Sequence, residues 1–128
     1  MAWWASDRDA TRCSGSPVDR VGTDRRRMRV CVVGSGGREH ALAHVLGRSH
    51  DVVVTPGNPG IPGSVPVPPT EVDADLTVIG PEAPLVGGLA DRLRADGRLV
   101  FGPGADGARL EGSKAWMKEV LVEAGVPT

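Results

Sequence analysis

Four consecutive apolar residues, Val30-Cys31-Val32-Val33, run directly into the turn Gly34-Ser35-Gly36-Gly37. A short run with no polar alternation suits a strand buried on both faces, so the sheet that holds it needs cover on both sides. Beyond the turn, Ala41, Leu42, Val45 and Leu46 recur at helical spacing until Gly47 ends the pattern, which supplies a first covering layer. The same punctuation repeats along the chain. Asp51 to Thr55 reads as a second strand closed by Pro56-Gly57-Asn58-Pro59-Gly60, and Leu76-Thr77-Val78-Ile79 as a third ended by Gly80-Pro81. Leu85, Val86, Leu89, Ala90 and Leu93 predict one amphipathic helix with Gly97 past its end, and Leu99-Val100-Phe101 a further strand stopped by Gly102-Pro103. Ser113 is placed to cap a last helix whose Trp116, Met117, Val120, Leu121 and Ala124 form an apolar face, either core or an interdomain contact. Short buried strands alternating with helices predict an α/β fold: a Rossmann-like open parallel sheet with helices on both faces.

A chain of 128 residues can bury one core of this kind. Residues 1–27, with six Arg, four Asp and no hydrophobic period, are expected to form a disordered extension. Residues 28–112 make the α/β domain and 113–128 a linker helix. The stretch from Pro62 to Asp73 is Pro-rich and too short for a full crossover helix, so one crossover is expected to be abbreviated, with at most a short strand near Val65. Fifteen Lys and Arg nearly balance sixteen Asp and Glu, which leaves no basic field for a nucleic acid. No apolar stretch approaches the roughly 18 to 20 residues that span a bilayer. Cys13 and Cys31 have neither metal-ligand spacing nor a disulfide framework, which fits a reducing, cytoplasmic setting.

Open parallel sheets bind ligands outside the carboxyl ends of their strands, and here the glycine-rich loops follow strands. The Gly34 to Gly37 turn is either a tight strand-to-helix connection or a cradle that aims backbone N–H groups at an anion. Glu82, just after Gly80-Pro81, is either an exposed loop acid or an acceptor for sugar hydroxyls. Lys114, on the first turn of a helix, is badly placed for the helix dipole, which hints at a role beyond the helix. A dinucleotide fingerprint fails twice: Glu39 stands at the third glycine position, and Thr55 ends the second strand where a ribose-binding acid is wanted. His40 and His44 could share a helix face as metal ligands, but no third ligand has a recognisable spacing.

The motifs Gly34-Ser35-Gly36-Gly37-Arg38-Glu39-His40, Pro56-Gly57-Asn58-Pro59-Gly60, Gly80-Pro81-Glu82-Ala83-Pro84-Leu85, Phe101-Gly102-Pro103 and Leu110-Glu111-Gly112-Ser113-Lys114, in this order, resemble the amino-terminal (pre-ATP-grasp) domain of the glycinamide ribonucleotide synthetases, or phosphoribosylamine-glycine ligases. The resemblance covers Met28 to Thr128. It implies an ATP-dependent carbon–nitrogen ligase of purine biosynthesis that joins glycine to 5-phosphoribosylamine. It also implies a substrate site at Gly34, Ser35, Gly36, Gly37, Arg38, Asn58, Gly80, Pro81 and Glu82, and a contact from Lys114 to ATP. The magnesium or manganese ligands and the catalytic groups belong, on this resemblance, to an ATP-grasp region beyond Thr128, so the chain alone is expected to be inactive. The competing expectations are a nucleotide-binding or redox domain and a non-catalytic regulatory module.

Overall fold

The computed structural model describes residues 27–127. The extension expected over residues 1–27 therefore lies outside the described residues, apart from Arg27, whose guanidinium pairs with Asp51 at 3.1 Å. Four parallel strands, β1 (Arg29–Gly34), β2 (Asp51–Pro56), β3 (Leu76–Ile79) and β4 (Val100–Phe101), lie in the order β2-β1-β3-β4. The chain steps from β1 to one side and returns to the other, so the point where strand order reverses lies between β1 and β3.

Strand β1 is buried on both sides, as its uninterrupted apolar run requires. Val30 and Val32 join Val54, Val78 and Ile61 under Ala43 of helix α1 (Gly37–Leu46). Cys31 and Val33 face the opposite layer, where Leu85 of α2 (Glu82–Val86) and Leu89, Ala90 and Leu93 of α3 (Leu89–Ala95) pack with Val72 and Ile79. Leu93 is fully buried, and truncating such a leucine to alanine costs about 2 to 5 kcal/mol. Burial also pushes the Cys31 thiol up from 9.0 to about 11, against the opposing pull of Arg98 and Arg29.

Three elements differ from the sequence expectation. The single helix expected across Leu85 to Leu93 is split at Gly87-Gly88, where Gly88 takes a left-handed conformation (φ 76°) and the Gly87 carbonyl accepts from Arg92 Nη1 at 2.8 Å. A helix absent from the expectation, α4 (Ala105–Gly112), stacks on α2, and its first amide, Ala105 N–H, donates to Asp91 of α3 at 2.8 Å. In α1 the inward face is Glu39 and Ala43, so Ala41 and Val45 of the expected apolar stripe are exposed. The last helix, α5 (Lys114–Glu123), begins as expected: the Ser113 hydroxyl accepts from Trp116 N–H at 3.3 Å. Arg109 of α4 lies 4.6 Å from the Trp116 ring centre and stitches α5 to α4. Trp116, Met117, Val120 and Leu121 are half-buried, whereas Ala124 is exposed. On the α1 side of the sheet, Leu99 and Phe101 are 64% and 71% exposed, because no described element covers β4 on that face.

The abbreviated crossover is present. Between β2 and β3 the only described helix is one 3-10 turn, Pro69–Glu71, and the strand expected near Val65 reduces to a single bridge between Val54 and Ser64. Arg98 takes the place of a packed helix as organiser: its guanidinium donates to the carbonyls of Thr70 (2.6 Å), Val72 (2.7 Å) and Pro69 (3.3 Å). Hydrogen bonds to a charged group contribute about 1.5 to 3 kcal/mol. Arg98→Ala should therefore lower unfolding free energy in urea by about 2 kcal/mol, with faster amide exchange over residues 69–72; an unchanged midpoint would show that the crossover holds without the strap. Because the Cys31 thiol stays protonated in the fold after the unfolded chain has begun to ionise, its contribution makes stability fall as pH rises from 9 towards 11. Cys31→Ser should flatten that part of the urea-midpoint-against-pH curve.

Candidate functional site

The loops after β1, β2 and β3 meet at one end of the sheet, beside the reversal of strand order. Gly57 N–H donates to the Gly34 carbonyl at 3.0 Å, and Gly80 N–H to the Val33 carbonyl at 3.1 Å. Asn58 holds the second loop against the first: its Nδ2 donates to the Ser35 carbonyl at 2.7 Å, while its Oδ1 accepts from Gly60 N–H at 2.7 Å. Both ends of the Asn58 amide are thus engaged by backbone, which makes this residue a clip between loops. Gly34, Ser35, Gly36, Gly37, Arg38, Asn58, Gly80, Pro81 and Glu82 all belong to this cluster. Lys114 does not: it is exposed at the start of α5, which packs on α4.

The centre of the cluster is Glu39, only 4% exposed. One carboxylate oxygen, Oε2, accepts from Gly36 N–H at 2.8 Å, the backbone half of a capping box at the start of α1. The other, Oε1, faces Arg38 Nε at 3.3 Å. A Cβ on Gly34 would lie 2.5 Å from Glu39 Cγ, and one on Gly80 would lie 2.8 Å from Glu39 Cδ. Both glycines are therefore required for the carboxylate to fit between the loops. Gly36 N–H, a candidate anion donor on sequence grounds, is already used by Glu39. The amides of Gly37, Arg38 and Glu39, in the first helical turn, have no intrahelical partners, and the first two of them lie next to the Arg38 guanidinium.

Arg38 reaches outward from Glu39, and its Nη2 lies 3.8 Å from Glu82 Oε2 at the start of α2. Arg38 and Glu82 are about half exposed, at the outer edge of the loop cluster. A guanidinium next to a carboxylate can hold a phosphate oxygen on one side and sugar hydroxyls on the other. Sequence reading treated Glu39 as a break in a fingerprint and missed its part in the site; its spacing of three from Gly36 was the available signal. Thr55, the second break, is fully buried, and its hydroxyl donates to the Val67 carbonyl. It is closed to a ribose.

His40 and His44 do share one face of α1, and with His50, Arg48 and Asp51 they line a cavity of about 600 Å³ beside β2. Among the described residues, no group of three His, Cys, Asp or Glu is placed to hold a metal. No described helix is long and apolar enough to cross a membrane.

These features define an α/β domain whose glycine loops gather at the reversal of strand order around a carboxylate that stands where dinucleotide-binding domains have glycine. Residues 28–111 match the family described as "Phosphoribosylglycinamide synthetase, N domain". The chain is 48% identical over 118 aligned positions to the phosphoribosylamine–glycine ligase of Leifsonia xyli subsp. xyli, covering 79% of this chain and 28% of that protein. It is 49% identical over 117 positions to the enzyme of the same name from Mycobacterium bovis and 47% over 119 to that from Synechocystis, again with 79% of this chain and 28% of theirs. This chain belongs to the phosphoribosylglycinamide synthetase N-domain family. It spans a little over a quarter of the length of the relatives it matches. Because 79% of 128 residues is about 101, the 118-position alignment leaves about 17 positions of the Leifsonia protein without a counterpart here.

Gly80→Ala would force its Cβ into the Glu39 carboxylate, and overpacking of this kind costs about 1 to 3 kcal/mol. Combining it with Glu39→Ala should recover most of that loss in urea unfolding. Additive losses in the double variant would show that the two residues do not share the space.

Proposed function

We propose that this chain is the phosphoribosyl-binding domain of a ligase that joins glycine to 5-phosphoribosylamine with hydrolysis of ATP to ADP, a step of de novo purine synthesis in the cytoplasm. The observation that supports this most is the cleft itself: Gly37, Arg38 and Glu82 bring two helix-start amides, a guanidinium and an accessible carboxylate to one rim. The names of the relatives support the reaction. In this reading Glu82 accepts hydrogen bonds from ribose hydroxyls, while Arg38 and the first-turn amides of α1 face the 5-phosphate. Asn58 and Glu39 fix the loops that carry these groups, so little ordering remains to be done on binding.

ATP would supply the phosphoryl group that activates the glycine carboxylate. Lys114 fits a contact to its phosphates, being exposed at the start of a helix where its charge serves no dipole. In the same reading the magnesium or manganese and the remaining ATP contacts are held by ATP-grasp parts of the enzyme. The half-buried Trp116, Met117, Val120 and Leu121 of α5 fit docking against such parts. A redox reading is disfavoured by Glu39 and Thr55, which occupy the places where a dinucleotide needs glycine and an acid.

Ribose 5-phosphate titrated into the isotope-labelled chain should shift the amide resonances of Gly37, Arg38 and Glu82 first, and Glu82→Ala should weaken binding at least roughly tenfold, the loss of about one hydrogen bond to a charged acceptor. NAD should leave these resonances in place. Saturable NAD shifts around Gly36 together with no response to ribose 5-phosphate would instead favour the redox reading.

A further inference from the structure

Glu39 does more than complete a turn. It sits within the spacing Gly34-x-Gly36-x-x-Glu39, on the position where a dinucleotide fingerprint has its third glycine, the one that lets helix and strand pack closely behind the diphosphate loop formed at Gly36. The carboxylate fills that position physically, since both Gly34 and Gly80 touch it closely enough to exclude a Cβ. It fills it chemically as well, because the Gly36 N–H that would donate to a diphosphate oxygen donates to Glu39 Oε2 at 2.8 Å. It fills it electrostatically too: a carboxylate 4% exposed keeps its field inside a poorly solvated crevice, and it faces the Arg38 guanidinium at 3.3 Å. Glu82 adds a second negative charge 3.8 Å from the same guanidinium.

We infer that Glu39 is the residue that sets the ligand class of this cleft, admitting a sugar with a single phosphate at the rim and excluding nucleoside diphosphates from the inner loop. A single phosphate needs only the outer groups, Arg38 and the amides of Gly37 and Arg38, and its sugar can turn hydroxyls towards Glu82. A diphosphate has to run along Gly34 to Gly36 to satisfy both phosphates, and there it meets an occupied amide, an occupied volume and a like charge. The accepted half of this inference rests on the phosphoribosyl reading above. The excluded half stands on the geometry of Glu39 and is tested separately.

The test is a gain of binding. Glu39→Gly completes the glycine pattern, and Glu39→Gln keeps the side-chain shape while removing its charge. With the full 128-residue chain, calorimetric titration of ADP and of ribose 5-phosphate is compared across wild type and both variants, after circular dichroism has established that each is folded. Removing the charge, freeing Gly36 N–H and releasing Arg38 should make ADP bind at least roughly tenfold more tightly in Glu39→Gly, and less so in Glu39→Gln, with the gain shrinking as salt is raised. A residue with a purely structural role would lose binding or stability on substitution and would gain no ligand. A folded Glu39→Gly chain that binds ADP no better than wild type would overturn the inference. If Glu39→Gly does not fold, an unchanged ADP affinity in Glu39→Gln would overturn it alone. Wild type that fails to bind ribose 5-phosphate, alongside variants that gain ADP, would overturn the phosphoribosyl reading and leave the exclusion standing.

Discussion

A buried carboxylate needs hydrogen-bond donors, and the loops of this domain are arranged to provide them. Glu39 receives Gly36 N–H on one oxygen and faces Arg38 on the other. To admit that side chain, the loops after β1 and β3 must both be glycine at the point of approach, and Gly34 and Gly80 meet that need from strands that are neighbours in the sheet but far apart in sequence. The parallel pairing of Val30 to Val33 with Leu76 to Ile79 fixes how far each strand extends, and so fixes where the two loops meet. Sheet register, loop composition and ligand cleft are therefore one constraint seen at three scales.

The same logic operates away from the cleft. A crossover with only one 3-10 turn has few internal hydrogen bonds, and Arg98 supplies three donor contacts from the chain just before β4. Helix α4 receives a cap from Asp91 on α3, and α5 is held to α4 by Arg109 over Trp116. A small α/β domain with an abbreviated layer thus relies on side chains that satisfy backbone groups at a distance.

What could be read from the sequence follows from the range of the interactions. Strand β1 and its glycine turn were legible because burial on both faces writes a continuous apolar run into neighbouring residues. Ser113 was legible as a cap because its acceptor role lies three residues away, at Trp116. The break between α2 and α3 was not, since the apolar stripe from Leu85 to Leu93 continues across Gly87-Gly88 at helical spacing. Helix α4 was hidden because Ala105 to Gly112 contains two glycines and its cap comes from Asp91. The loop residues of the cleft were legible as motifs, but the place of Glu39 at their centre depends on Gly80, which only the fold brings near.

The proposed seat of a phosphoribosyl group lies between the Gly36 loop and Glu82, with the phosphate outermost. A crystal structure of the chain with ribose 5-phosphate tests it most directly. With that seat correct, the sugar hydroxyls lie on the Glu82 carboxylate and the phosphate lies against Arg38 and the amides of Gly37 and Arg38, with Glu39 still bonded to Gly36 N–H. A sugar phosphate seated in the histidine-lined cavity beside β2, or one that displaces Glu39 to lie on the inner loop, would contradict it.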